Sequence, residues 1–99
     1  MGLKVSGYTF EGPFDSPTEL KNESGVYVIL TEDGSSWKLL DCGDSGDVKQ
    51  RVGNHLREEC WKKHAVGRIA YVAKYCEELG RRMIVNEIRQ EHSLPCGNV

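Results

Sequence analysis

No apolar run in this chain is long enough to cross a bilayer, so no membrane partner is expected. The opening Met1-Gly2-Leu3-Lys4-Val5-Ser6 lacks the long apolar core of a secretory leader, and a cytoplasmic location is the expectation. Its Met-Gly-x-x-x-Ser pattern fits N-myristoylation, but so short a motif recurs by chance and is set aside. No Cys-x-x-Cys pair occurs among Cys42, Cys60, Cys76 and Cys96. Wide spacing without a leader favours reduced thiols. His55, His64 and His92 add nitrogen donors, yet the ligand spacings of common structural zinc sites are missing. Basic excess is missing too. The formal charge is -2, so bulk charge gives no support to a nucleic-acid partner. A local cluster of Arg and Lys, or a bound divalent ion, can supply the field that the total does not. Internal repeats and low-complexity segments are also absent.

What is present suits one folded domain over residues 1–99. The length allows a single modest core. Apolar residues make up 38% and charged residues 28%, which argues against wholesale disorder.

Leu3 to Phe14 alternates loosely and is a candidate edge strand ending at Gly12-Pro13. Ser16-Pro17-Thr18-Glu19 reads as a short helix start, with Ser16 as N-cap, Pro17 in the first helical position and Glu19 as capping carboxylate. Gly25-Val26-Tyr27-Val28-Ile29-Leu30-Thr31 is the clearest strand, rich in β-branched residues. A loop over residues 32–36 returns the chain into Trp37-Lys38-Leu39-Leu40-Asp41-Cys42-Gly43, completing a hairpin. Asp44-Ser45-Gly46-Asp47 breaks that strand. Asp47 and Gln50 fit a capping pair, and Val48, Val52, His55 and Leu56 recur at helical spacing on a pattern that continues toward Trp61 and Lys63. Arg68 to Tyr75 alternates as a further strand. A last helix spans about Glu77 to about Glu91, with Ile84 and Ile88 in its core stripe, and Pro95 and Gly97 stop it. The expected fold is α+β, a small, mostly antiparallel three-stranded central sheet flanked by helices, with the N-terminal segment as an added edge strand.

Four features stand in one order: Gly25-Val26-Tyr27 on the first hairpin strand, Gly43 ending the second, Arg51 and His55 after it, and Pro95 to Asn98 behind the last helix. This set resembles the GIY-YIG nuclease family, in particular a compact single-domain bacterial branch. The resemblance covers Gly25 to Asn98, with residues 1–24 as an extension outside it. Gly25-Val26-Tyr27 matches the first signature, and Asp41-Cys42-Gly43 stands where the second, Tyr-Ile-Gly, belongs. Each fragment alone is weak, and the ordered set is much more specific.

The resemblance implies a DNA endonuclease that hydrolyses phosphodiester bonds with a divalent metal, magnesium or manganese. Such an ion polarises the scissile phosphate and stabilises the departing oxygen. Arg offers planar, permanently charged donors to phosphate oxygens. By resemblance, Tyr27 activates or positions the attacking water, Arg51 binds phosphate, and His55 assists at the same centre. Gly43, Lys49 and Asn98 are the expected substrate contacts. Read on one continuous helix, Arg51 and His55 are four apart and share a face.

One position departs from the family. The metal-binding glutamate of the last helix falls on Val85, and valine cannot coordinate a hard cation. Glu87 is a weak substitute, since about 100° per residue carries it to the far flank of the Ile84/Ile88 stripe. Either the register in this helix differs by one or two residues, or metal-dependent catalysis has been lost, or the site carries a substitution. Two other readings stand beside the nuclease. A domain of this type can bind nucleic acid without cutting, through Lys49, Arg51, Arg57, Lys62, Lys63 and Arg68. It can also serve as a protein-interaction module that keeps only the fold. A protein partner for targeting is compatible with all three.

Overall fold

The structure is a computed structural model, and it describes residues 2–97. The N-terminal segment forms two strands rather than one, β1 (Gly2–Val5) and β2 (Tyr8–Phe14), reversed through Ser6 and Gly7, both at positive φ. A single 3-10 turn, Pro17–Glu19, follows with the expected cap. The Ser16 hydroxyl accepts from the Thr18 amide, and the Glu19 carboxylate accepts from the Ser16 amide. The hairpin is β3 (Gly25–Asp33) and β4 (Ser36–Ser45). Then come α1 (Val48–Gly53), α2 (Glu58–His64), β5 (Ile69–Tyr75) and α3 (Glu78–Glu91).

The class is α+β and the sheet is antiparallel throughout, but it has five strands instead of three, in the order β1-β2-β5-β3-β4. The expected central three are β5, β3 and β4. The N-terminal hairpin extends them past β5, because β2 pairs with it at Glu11–Ala73 and Phe14–Tyr71. Loose alternation over twelve residues concealed a two-residue turn.

β3 lies inside the sheet with both faces covered, which explains its nearly unbroken apolar run. Val26, Val28 and Leu30 face one side and pack with Cys42, Val72 and the α3 residues Ile84, Val85 and Ile88. Tyr27 and Ile29 face the other side and pack with Leu40, Val48, Val52, Trp61 and Cys96. The functional candidates belong to this second face.

The long helix expected after Asp47 is two short ones. Asp47 caps α1 as foreseen, its carboxylate accepting from the Gln50 amide at 3.2 Å. α1 then stops at Gly53, and Asn54 leaves helical geometry at φ -130°. His55 therefore lies in the link and not on the helix with Arg51. Leu56 is 92% exposed rather than part of an apolar stripe. Helical spacing alone continued through residues 53–57, where Gly53 and Asn54 carry poor helix propensity.

The thiols also differ from expectation. Cys60 and Cys96 form a disulfide, while Cys42 is free and buried and Cys76 is free and half-buried. The bond joins α2 to the segment after α3, a proximity created by folding and invisible in a separation of 36 residues. That segment is further fixed by the Cys96 amide donating to the Leu40 carbonyl at 2.9 Å. Among the described residues, no helix is long and apolar enough to cross a membrane.

Candidate active site around Tyr27

Tyr27 is supplied by the most buried strand and is only 1% exposed. Its register partner on β4 is Gly43. A Cβ at Gly43 would overlap the Tyr27 hydroxyl and lie 2.6 Å from Cζ. The glycine is therefore required because the phenol lies across the backbone there. Gly43 is itself buried, so what it does in the structure is make room for Tyr27.

His55 meets that hydroxyl from the link after α1, with Nε2 2.8 Å from Oη. The direction of the proton follows from the other ring nitrogen. Nδ1 accepts from the Arg57 backbone N–H at 3.0 Å, so it carries no hydrogen. The neutral ring then holds its proton on Nε2 and donates it to Tyr27. Burial pushes the His55 pKa down; Asp41 opposes this, and Arg57 and Arg51 add to it. A neutral imidazole that acts as donor is the state at pH 7.

Arg51, exposed on α1, approaches the same phenol. Burial raises the Tyr27 pKa, and the Arg51 guanidinium partly offsets that rise. Tyr27 is thus a neutral phenol whose oxygen receives a proton donor from His55 and keeps its own O–H to give. Such a group can donate a hydrogen bond and is too weakly acidic to serve as a resident phenolate. Beside the cluster lies a shallow polar depression lined by Ser45, Asp47, Gln50, Arg51 and Asn54.

A foundation of charge lies beneath, and the sequence did not reveal its role. Asp41 is fully buried. Its carboxylate accepts from the Cys42 amide at 2.7 Å, Arg57 Nε at 2.9 Å, Arg57 Nη2 at 3.1 Å and Trp61 Nε1 at 2.8 Å. Trp61 in turn packs on His55 with ring centroids 4.8 Å apart. A desolvated carboxylate is stable only with its lone pairs filled in this way. The signal was available: an aspartate between Leu40 and Cys42 in an apolar strand needs partners.

The remaining candidates divide. Lys49 is half-buried on a different face of α1 from Arg51 and does not line the depression. Asn98 lies outside the described residues. Val85 is 3% exposed, in the cluster with Val26 and Cys42. It shares a helix face with Arg81, which bonds Asp44, and Arg89, which donates to the Cys42 carbonyl. Val85 therefore packs on the side of the sheet that carries Val26 and Cys42, opposite Tyr27. Glu87 adjoins Tyr8 on the N-terminal hairpin, where its carboxylate raises the phenol pKa. It does not belong to the cluster.

Half of the basic surface expected along residues 49–68 is paired with carboxylates. Arg57 pairs with Asp41, Lys62 with Glu58, and Arg68 with Asp15 and Glu32. For a hard cation, Asp47 is, among the described residues, the one carboxylate lining the depression. Its Oδ1 is taken by the Gln50 amide and by Asn22, which leaves Oδ2. In comparisons with protein-family models, curated proteins and solved structures, none matches this chain.

Proposed function

We propose that the Tyr27, Arg51 and His55 cluster handles a phosphodiester, as the centre of a GIY-YIG-type DNA endonuclease domain whose metal position on α3 is taken by Val85. One observation carries this reading. His55, from the link after α1, hydrogen-bonds the Tyr27 hydroxyl, Arg51 on α1 lies near that phenol, and Gly43 gives up a side chain to let the ring lie there. Arg51 supplies the permanent charge for a phosphate oxygen, Tyr27 the O–H that orients phosphate or water, and His55 the donor that holds Tyr27 in place. Magnesium or manganese, if recruited, has Asp47 beside Arg51 as its available carboxylate. Magnesium commonly binds through one or two carboxylates, its own waters and substrate phosphate.

Val85 favours a second reading, a domain that binds nucleic acid and no longer cuts it. An apolar, buried side chain where a carboxylate is wanted withdraws a ligand from the metal.

The test is cleavage and binding of a DNA panel with magnesium or manganese, using the native chain, Val85→Glu, Asp47→Asn and Arg51→Ala. The expected result is salt-sensitive DNA binding by the native chain with weak cleavage, no gain of cleavage in Val85→Glu, whose side chain lies on the opposite side of the sheet from Tyr27, and loss of both in Arg51→Ala. Native cleavage lost in Asp47→Asn assigns the metal to Asp47. Binding without cleavage by any variant selects the second reading. Absence of both binding and cleavage from folded protein overturns the phosphodiester reading altogether.

A further inference from the structure

At α2 and the C-terminal segment, two sulfur donors and one imidazole come together. Cys60 and His64 are four apart on α2 and so share a face. Cys96 reaches them from the chain after α3. One ligand atom from each lies within 4.8 Å of the others. His64 Nδ1 is 3.6 Å from the Cys60 sulfur and 3.9 Å from the Cys96 sulfur.

We infer that Cys60, His64 and Cys96 form a redox-dependent metal site, which holds a zinc-type cation when the thiols are reduced and is closed by the Cys60–Cys96 disulfide when they are oxidised. This inference is independent of the reading of Tyr27. The geometry suits the ion. Zinc–sulfur and zinc–nitrogen bonds of about 2.3 and 2.05 Å at a tetrahedral angle put sulfur and nitrogen about 3.6 Å apart. The two observed separations, 3.6 and 3.9 Å, are close to that value. A tetrahedral pair of thiolates needs the sulfurs about 3.8 Å apart, a spacing that opens once the bond between them is cut. Cys60 is only half-buried, so solvent can fill the fourth position. A three-ligand site with one open position is an established zinc arrangement.

The chemistry balances. Two equivalents of a low-molecular-weight thiol reduce the disulfide, giving two cysteine thiols and one external disulfide. Zinc then displaces both thiol protons. His64 Nδ1 lies 3.1 Å from the Cys60 carbonyl and donates to it in the free state. On metal binding the ring proton moves to Nε2, and Nδ1 becomes the ligand. Either state ties α2 to the C-terminal segment, so the fold is held in both, and only the oxidised state excludes metal.

The experiment uses the full chain, refolded with a phosphine reductant and titrated with cobalt(II), followed by zinc with a chromophoric competitor. The expected result is one equivalent of cobalt with thiolate charge-transfer and tetrahedral ligand-field bands, displaced by zinc. The disulfide form is expected to lack these bands. Cys60→Ser and Cys96→Ser lose charge-transfer intensity. Because each also removes the disulfide, His64→Ala, which keeps it, carries the decisive comparison. In that variant the ligand-field bands shift and affinity drops, whereas His92→Ala binds as the native chain does. Absence of thiolate bands in the reduced chain, an unaltered spectrum in His64→Ala, or equal binding by the oxidised chain would each overturn the inference.

Discussion

His55 donates its Nε2 hydrogen to the Tyr27 hydroxyl at 2.8 Å because its Nδ1 is already committed to the Arg57 amide. An imidazolium would need a hydrogen on Nδ1, facing another donor. Proton binding and the folded geometry therefore oppose each other at this residue.

Stability should fall with acid at His55. The folded chain holds its pKa down, chiefly by burial. The unfolded chain titrates near the ordinary value of about 6.5. Stability is complete above that value and declines as pH falls from it toward the lower folded pKa, because the unfolded state binds the extra proton. Urea unfolding of the native chain and His55→Gln at about pH 7.5 and about pH 5.5 checks this. Gln keeps a donor toward Tyr27 without the titration, so a smaller loss of stability in acid is expected from the variant. Equal losses in both chains would remove His55 as the cause.

Gly43→Ala should disturb Tyr27 before anything else. The added methyl occupies the place of the phenol. Overpacking of this kind costs roughly 1–3 kcal/mol. A Gly43→Ala/Tyr27→Ala double-mutant cycle should return a coupling of about 1 kcal/mol or more, since removing the ring makes room for the methyl. Additive losses in denaturant would contradict the steric account.

Arg57→Ala leaves Asp41 buried with only the Cys42 amide and Trp61 Nε1 as donors. Loss of one partner from a fully buried ion pair costs about 3–5 kcal/mol. The Arg57 side chain is 32% exposed, so about 2–3 kcal/mol is the expected loss by urea denaturation. Arg57→Met with Asp41→Leu should recover part of that loss, because an apolar pair needs no donors.

The two free thiols should differ in reactivity. Burial pushes Cys42 up to about 12, and Cys76, half-buried, is raised less. Since the thiolate is the nucleophile, a maleimide should label Cys76 in the folded chain and reach Cys42 only on unfolding. Mass spectrometry of the labelled peptides decides it.

Elements with strong local chemistry were legible in the sequence. The Ser16/Glu19 box, the Asp47 cap and the β3/β4 hairpin are each dictated by neighbours a few residues away. The convergence of Tyr27 with Gly43 and His55 was legible only through an ordered motif. Helical periodicity suggested the meeting of Arg51 and His55 for a reason that failed, since α1 ends between them. The link still delivers His55 to Tyr27, held by the Arg57 amide and by packing on Trp61. What could not be read is long-range. Asp41 finds Arg57 and Trp61 at separations of 16 and 20 residues, and Cys60 finds Cys96 across 36. Such partners are chosen by the assembled sheet, and no local pattern records them.

Strand β3 pairs on both sides and is covered on both faces, so its amides exchange hydrogen only when the domain opens as a whole. Arg51, on a six-residue helix and exposed, samples rotamers on the picosecond-to-nanosecond scale. The two halves of the centre therefore keep different clocks. In the proposed reading, Tyr27 is a stationary landmark that a ligand must come to, and Arg51 is the hand that closes on it.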